Sequence, residues 1–357
     1  MYTPLFSFLR AKIAVLLVTL MGSVILSSCN HDDSTLLSTK EETDKRPLKF
    51  NVNFLGSWQV ENSAKSAISR GTATNTLSDA IYDSFGVFAS YYDTGEELSQ
   101  TQNYMYDTES GEYMDGWQTF TPFAMPPINK EMSFCSYYPY QSDEAPQPYI
   151  TFNGGNRDYV GHPYFDFIIP DSVQLQPDLM VATSNMSSTD LATGSPIPLK
   201  FTHMLTAIRF VFDESIPRGY IFRISINNVS KGGSFVYGRI KDGTVNDPDY
   251  SWSSVSAETK NFTLNTRLRT GTGLPVPLAD DQTFLMMPQH LDQDASVTIV
   301  YDNGSRFEFT TSLAERTWEP GKIVTYNVKI NSLKTISLKA TIEDWIVGDT
   351  YNWTSSY

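Results

Sequence analysis

The sequence predicts an all-β protein. Period-two alternation of apolar and polar residues recurs along the chain, glycine and proline interrupt it about every ten residues, and helical periodicity is weak throughout. The first alternating run is Leu48, Phe50, Val52 and Phe54. Tyr220, Phe222, Ile224 and Ile226 form a second, and alternation assigns all four to one face. Val324, Tyr326, Val328 and Ile330 make a third run, and Ile336, Leu338, Ala340 and Ile342 a fourth. Ser296 to Thr311 reads as a hairpin around Asp302-Asn303-Gly304-Ser305, with Asn-Gly supplying the two positive-φ residues of a tight type I′ turn. Thr206 to Phe212 fits either period, and its β-branched and aromatic residues assign it to a strand. A β-sandwich is the architecture such strands favour. A boundary falls near Gly194-Ser195-Pro196, where aromatic-rich loops give way to longer, more regular strands; it divides the body into residues 71–195 and 196–357.

Composition narrows the function. A chain of 357 residues has room for two domains of moderate size. Its 40 acidic side chains against 26 Lys and Arg, a net charge of −14, argue against nucleic acid, whose phosphates demand a basic face. With 18% charged and 13% aromatic residues the chain has the composition of a folded protein. Two cysteines cannot staple a disulfide scaffold, and four histidines leave little room for a histidine metal cluster. No cofactor or metal is expected.

The N-terminus reads as an address. Arg10 and Lys12 precede an apolar run from Ile13 to Leu26, which is shorter than the ~20 residues a bilayer needs. Residues 1–28 therefore read as a signal peptide. The run ends Leu26-Ser27-Ser28-Cys29, which resembles the lipobox of bacterial lipoproteins, with Cys29 as the thiol that receives lipid. Each buried lipid methylene contributes about 0.8 kcal/mol, so two or three acyl chains hold a protein at a membrane. Loss of Arg10 and Lys12 with the signal leaves the mature chain more acidic, and lipidation of Cys29 leaves Cys135 as its one thiol. Asp32-Asp33 resembles the export signal of surface-displayed lipoproteins, and Asp32 to Arg46 is polar enough to be a tether.

Motifs for catalysis are missing. There is no Gly-x-Ser-x-Gly elbow, His-Glu-x-x-His pair or phosphate loop. Gly271-Thr272-Gly273 begins like a dinucleotide fingerprint, but Pro275 and Val276 follow where a helix must start. Asp242, Asp247 and Asp249 lack the spacing and closing Glu of a calcium loop. His203 sits in a strand beside Met204 and Leu205, where a packed or hydrogen-bonded role fits better than catalysis. The protein is not expected to be an enzyme.

Several ordered segments carry a resemblance. They are Ser78-Asp79-Ala80 before Phe85-Gly86-Val87-Phe88-Ala89, then Met132-Ser133-Phe134 with Ser136-Tyr137-Tyr138-Pro139-Tyr140. Pro177-Asp178-Leu179-Met180-Val181-Ala182 and Leu199 to Leu205 follow, and Leu285-Met286-Met287-Pro288-Gln289 and Ile342-Glu343-Asp344-Trp345 close the series. Together with the lipobox they resemble the fimbrillin (Mfa-like) family of type V pilus subunits. The resemblance implies two β-sandwich domains of transthyretin-like topology in a surface-exposed, lipid-anchored protein of the outer membrane. It further implies polymerisation with other pilin subunits, of the same or another kind, into an adhesive fimbria. In that family a trypsin-like protease removes an N-terminal strand, and the groove accepts a C-terminal strand from a neighbour. Here residues 29–70 would be the tether and removable strand, with Leu48, Phe50, Val52 and Phe54 as its apolar face. The cut would fall between Arg70 and Gly71, in a stretch of small polar residues; Arg46 is followed by Pro47, which blocks such proteases. The donor would be the strand of Val324, Tyr326, Val328 and Ile330 or that of Ile336, Leu338, Ala340 and Ile342. Two alternatives share the surface location. One is a lipoprotein that binds glycans for uptake through Tyr91-Tyr92, Trp117 and Tyr137-Tyr138, and the other a non-polymerising tip or anchor adhesin of the same fold.

Overall fold

The computed structural model describes residues 44–54, 84–94, 102–113, 116–142, 145, 148–152, 163–237, 250–332 and 335–345, with backbone alone for 54, 250 and 332. Cys29, Arg70 and Gly71 lie outside the described residues.

Described strands begin with β1 (Lys45–Arg46) and β2 (Lys49–Phe54), then β3 (Ser84–Tyr92), β4 (Gln102–Tyr113), β5 (Gly116–Thr119) and β6 (Phe123–Ala124). β7 (Glu131–Tyr138), β8 (Ile150–Phe152), β9 (Tyr164–Ile168) and β10 (Met180–Ser187) follow. One helical turn, α1 (Ser188–Ala192), leads into β11 (Ile197–His203). The Ser187 hydroxyl caps that turn by accepting from the Asp190 N–H at 3.0 Å, and Gly194, at φ +88°, ends it. Then come β12 (Thr206–Phe212), β13 (Gly219–Ser230), β14 (Gly232–Tyr237), β15 (Tyr250–Val255) and β16 (Thr259–Thr270). Short β17 (Val276–Pro277), β18 (Phe284–Met286) and β19 (Gln289–His290) precede β20 (Ser296–Asp302), β21 (Arg306–Ser312) and β22 (Thr317–Trp318). β23 (Lys322–Ser332) and β24 (Thr335–Asp344) form the last hairpin.

The protein is all-β, as its alternation predicts. Seven strands close on themselves in the order β10-β11-β2-β5-β4-β3-β7, so the first sheet leaves no edge among them. A second sheet runs β17-β12-β23-β24, a third β16-β13-β20-β21 and a fourth β15-β14-β9-β8. β11 lies past Pro196 in sequence yet pairs with β10 and β2, and the chain leaves the closed sheet only at Met204-Leu205.

Two hydrophobic cores flank one wall. Phe85, Val87 and Ala89 of β3, Met132 and Phe134 of β7 and Met180 and Ala182 of β10 face the smaller core inside the closed sheet. Alternate residues of the same strands, Phe88, Cys135, Tyr137 and Val181, face the larger core shared with the second half of the chain. Both faces of these strands are therefore buried over most of their length, so they do not show the clean alternation of a strand with one wet face. Each large side chain fully buried this way contributes about 1.5–3 kcal/mol. Gly86 is fixed by that wall: a Cβ on it would lie 2.0 Å from the Tyr137 ring.

Two local expectations are corrected. The Ser296–Thr311 hairpin exists, but Asp302 pairs with Arg306 across a three-residue turn, and of Asn303 and Gly304 only Gly304, at φ +107°, has positive φ. The Asp302 carboxylate accepts the Gly304 N–H at 2.8 Å, an Asx turn that makes type I′ geometry unnecessary. In β13 a bulge between Ile221 and Arg223 reverses the alternation. Ile221, Ile224 and Ile226 are buried while Tyr220 is exposed and Phe222 half-exposed, so the four residues read as one face divide between two.

Candidate functional site at the terminal strands

β2 occupies a slot in the closed sheet. Its parallel ladder to β11 joins Phe50 to Ile197, Val52 to Leu199 and Phe54 to Phe201. On the other side only Lys49 and Phe50 pair with β5. Leu48 is tied in just ahead of the strand: its N–H donates to the Thr119 hydroxyl at 3.1 Å, and its carbonyl accepts from the Thr119 N–H at 3.0 Å. Alternation decides the faces, with Leu48 and Phe50 buried and Lys49, Asn51 and Asn53 exposed. The Phe50 ring meets Phe85 edge-on at 5.3 Å, and Phe85 touches Phe201 and Trp117 at 5.4 and 5.9 Å. An aromatic floor thus lies beneath β2, and Val52 is half-buried on the same side.

Arg46 is less available than its sequence suggests. It pairs with Phe123 in the β1–β6 ladder, its Nη2 donates to the Ala192 carbonyl, and it is half-buried. Sequence pointed only to Pro47 as the obstacle to cleavage there; the fold adds a second.

The two donor candidates are partners in one hairpin with different surroundings. β23 is held on both sides, in parallel by β12 and in antiparallel by β24. Val324, Tyr326 and Val328 are buried; the Tyr326 hydroxyl accepts from the Trp318 indole at 3.0 Å, and Ile330 is half-buried. β24 pairs with β23 alone and forms the sheet edge. Ile336 is buried, Leu338 and Ala340 are half-buried, and Ile342 is 58% exposed. No ladder joins β24 to β2 among the described residues; the two strands belong to different sheets.

The end of β24 is pinned. Trp345 is buried, its backbone N–H donates to the Gly321 carbonyl at 2.8 Å, and its indole stacks on the His203 imidazole with centroids 3.8 Å apart at 5°. The His203 Nδ1–H donates to the buried Asp178 carboxylate at 2.8 Å. Lys322 and Asp344 form an ion pair across the hairpin, which raises the Lys322 pKa. The Trp345 indole N–H is buried with no hydrogen-bond partner among the described residues. Sequence identified neither the stack nor the carboxylate, because the three residues come from separate stretches of chain.

The aromatic residues offered for sugar stacking are mostly committed elsewhere. Tyr137 and Tyr138 are buried, Trp117 packs on the smaller core, and Tyr91 and Tyr92 are half-buried. Burial, and the Asp107 carboxylate that accepts from the hydroxyl at 2.7 Å, hold the Tyr137 pKa well above its usual value.

A family model described as fimbrillin-like matches residues 70–345. The chain belongs to the fimbrillin-like family. A curated relative, the fimbrium subunit Fim1C of Phocaeicola vulgatus, is 26% identical over 211 residues, 54% of this chain and 53% of its own. This fimbrillin-like chain thus spans about half the length of that relative. A solved fimbrial protein from Bacteroides vulgatus superposes with a TM-score of 0.58 at 16% identity, covering 85% of this chain and 100% of its own. That likeness shows the fold. β3, β7, β10, β11 and β24, which hold most of the motifs that suggested the fimbrillin-like family, all lie inside the matched span.

Proposed function

We propose that the chain is a structural subunit of a surface fimbria, exported as a lipoprotein through Cys29 and assembled by strand replacement. Cleavage between Arg70 and Gly71 detaches the segment that contains β1 and β2. Loss of β2 uncovers the facing edges of β11 and β5 and the aromatic floor of Phe85, Phe201 and Trp117. An incoming strand then supplies main-chain hydrogen bonds for affinity and alternate side chains for register. The observation that carries this reading is the match between the two terminal strands. β2 sets its apolar side chains at alternate positions over the floor, and β24 offers Ile336, Leu338, Ala340 and Ile342 at the same spacing from a sheet edge.

We assign the donor role to β24 rather than β23. Freeing β24 breaks one ladder, whereas freeing β23 breaks two and empties buried positions of the larger core. Residues 29–70 serve as tether and removable strand, and the mature acidic chain stays soluble until processed.

Trypsin treatment of the purified full chain is the direct test. Shortening near Arg70 together with SDS-resistant multimers is the expected result, and chains ending at Ser332 should be cut yet stay monomeric. Polymerisation of Arg70→Ala at the wild-type rate would remove the cleavage role.

A further inference from the structure

The bulge in β13 has a chemical result on the solvent side of the β16-β13-β20-β21 sheet. It places Tyr220, Phe222 and Arg223 outward, with Tyr220 and Phe222 ring centroids 6.1 Å apart. Arg267 of β16 lies over the Tyr220 ring at 5.3 Å, and Arg306 of β21 over the Phe222 ring at 5.9 Å. Arg223 donates to Glu308 at 2.8 Å, and exposed Arg269 is the cross-strand partner of Tyr220. Asp302, the partner of Tyr220 on the other side, accepts the Gly304 N–H. Arg223, Arg267, Arg269 and Arg306 thus share a face with the carboxylates of Glu308 and Asp302, in a chain whose 40 acids outnumber its 26 Lys and Arg.

We propose that this face binds an anionic saccharide, one that carries sulfate or carboxylate groups along its length. A guanidinium laid on an aromatic ring is held in place by the ring quadrupole and still presents N–H groups at its rim. Those groups form paired, charge-assisted hydrogen bonds with planar or tetrahedral anions. The exposed ring of Tyr220 adds apolar surface for the C–H face of a sugar. β13 and β20 are interior strands here, so the centre of the face offers no free ladder to an extended peptide. Charge complementarity and a mixed polar–aromatic surface together favour a polyanionic carbohydrate.

The test uses the intact chain on immobilised heparin oligosaccharides and on polygalacturonate, with neutral dextran, polyglutamate and phosphatidylglycerol vesicles as comparisons. Binding to the two anionic saccharides, weakened by salt and absent on dextran, is expected. The double variant Arg267→Gln/Arg306→Gln should weaken it about tenfold with an unchanged thermal melt. Lys231→Gln, which removes a cation paired with Glu258 elsewhere, should leave it intact. The proposal is overturned if the wild type binds neither saccharide, if polyglutamate or vesicles bind as tightly, or if the double variant binds undiminished. Neither arginine lies in β2 or β24, so the polymerisation assay still reads the subunit function separately.

Discussion

At the scale of single residues, burial sets reactivity and strength. Cys135 faces the larger core at 1% exposure, and burial pushes its thiol pKa far up. Thiolate is the reactive form, so a thiol reagent is expected to label the native chain negligibly and to label it in step with unfolding as denaturant rises; rapid labelling of the native state would contradict the packing. Gly86→Ala forces a methyl into the Tyr137 ring and is expected to cost about 1–3 kcal/mol, read as a lower denaturation midpoint at an unchanged slope. Asp178→Ala removes the acceptor of the His203 Nδ1–H, and Trp345→Ala removes the ring stacked on that imidazole. Both are expected to speed hydrogen exchange at the end of β24 more than in β23, and equal acceleration in both strands would argue against a local clasp. That Cys135 is the one thiol left once Cys29 is assigned to lipid was legible from composition; its burial was not. The stack was not, because three-dimensional contact between distant residues leaves no spacing to read.

At the scale of elements, period-two alternation is clearest in regular strands with one wet face. β2, β23 and β24 show it directly, and each matches a run read from its apolar positions; β11 alternates too, but its segment was singled out only by the family resemblance. It weakened in β3, β7 and β10, whose two faces meet different cores, and failed in β13, where one extra residue at the bulge inverts the parity of everything before it. Alternation also could not rank the two donor candidates, since the difference between them is the number of neighbours in the sheet. That difference leads to a sharp expectation for Ile342, which is mostly exposed in its own sheet. Ile342→Asp should change monomer stability by no more than about 0.5 kcal/mol yet slow polymerisation strongly after proteolysis, because a carboxylate would enter an apolar slot. Unaltered assembly kinetics would show that the position never enters the groove.

For the whole molecule, the larger core sets the cooperativity. It gathers Phe88, Tyr137 and Phe165 from the first half with Phe210, Phe235 and Tyr326 from the second, and β9 pairs with β14 across the same divide. Unfolding by heat or denaturant is accordingly expected as one transition when followed by far-ultraviolet circular dichroism and by tryptophan fluorescence; two separated transitions would show independent halves. Gly194, at φ +88°, turns the chain between α1 and β11. The parallel ladder of β2 with β11 adds a kinetic consequence. The ladder joins Phe50 to Ile197, so β2 is fully seated only after much later residues arrive, and pairings so remote in sequence form slowly. Until then the chain is a sheet open along β11 and β5. A newly exported subunit and a proteolysed one would then briefly present the same sticky edge, and refolding yield should fall with chain concentration for as long as that edge stays open.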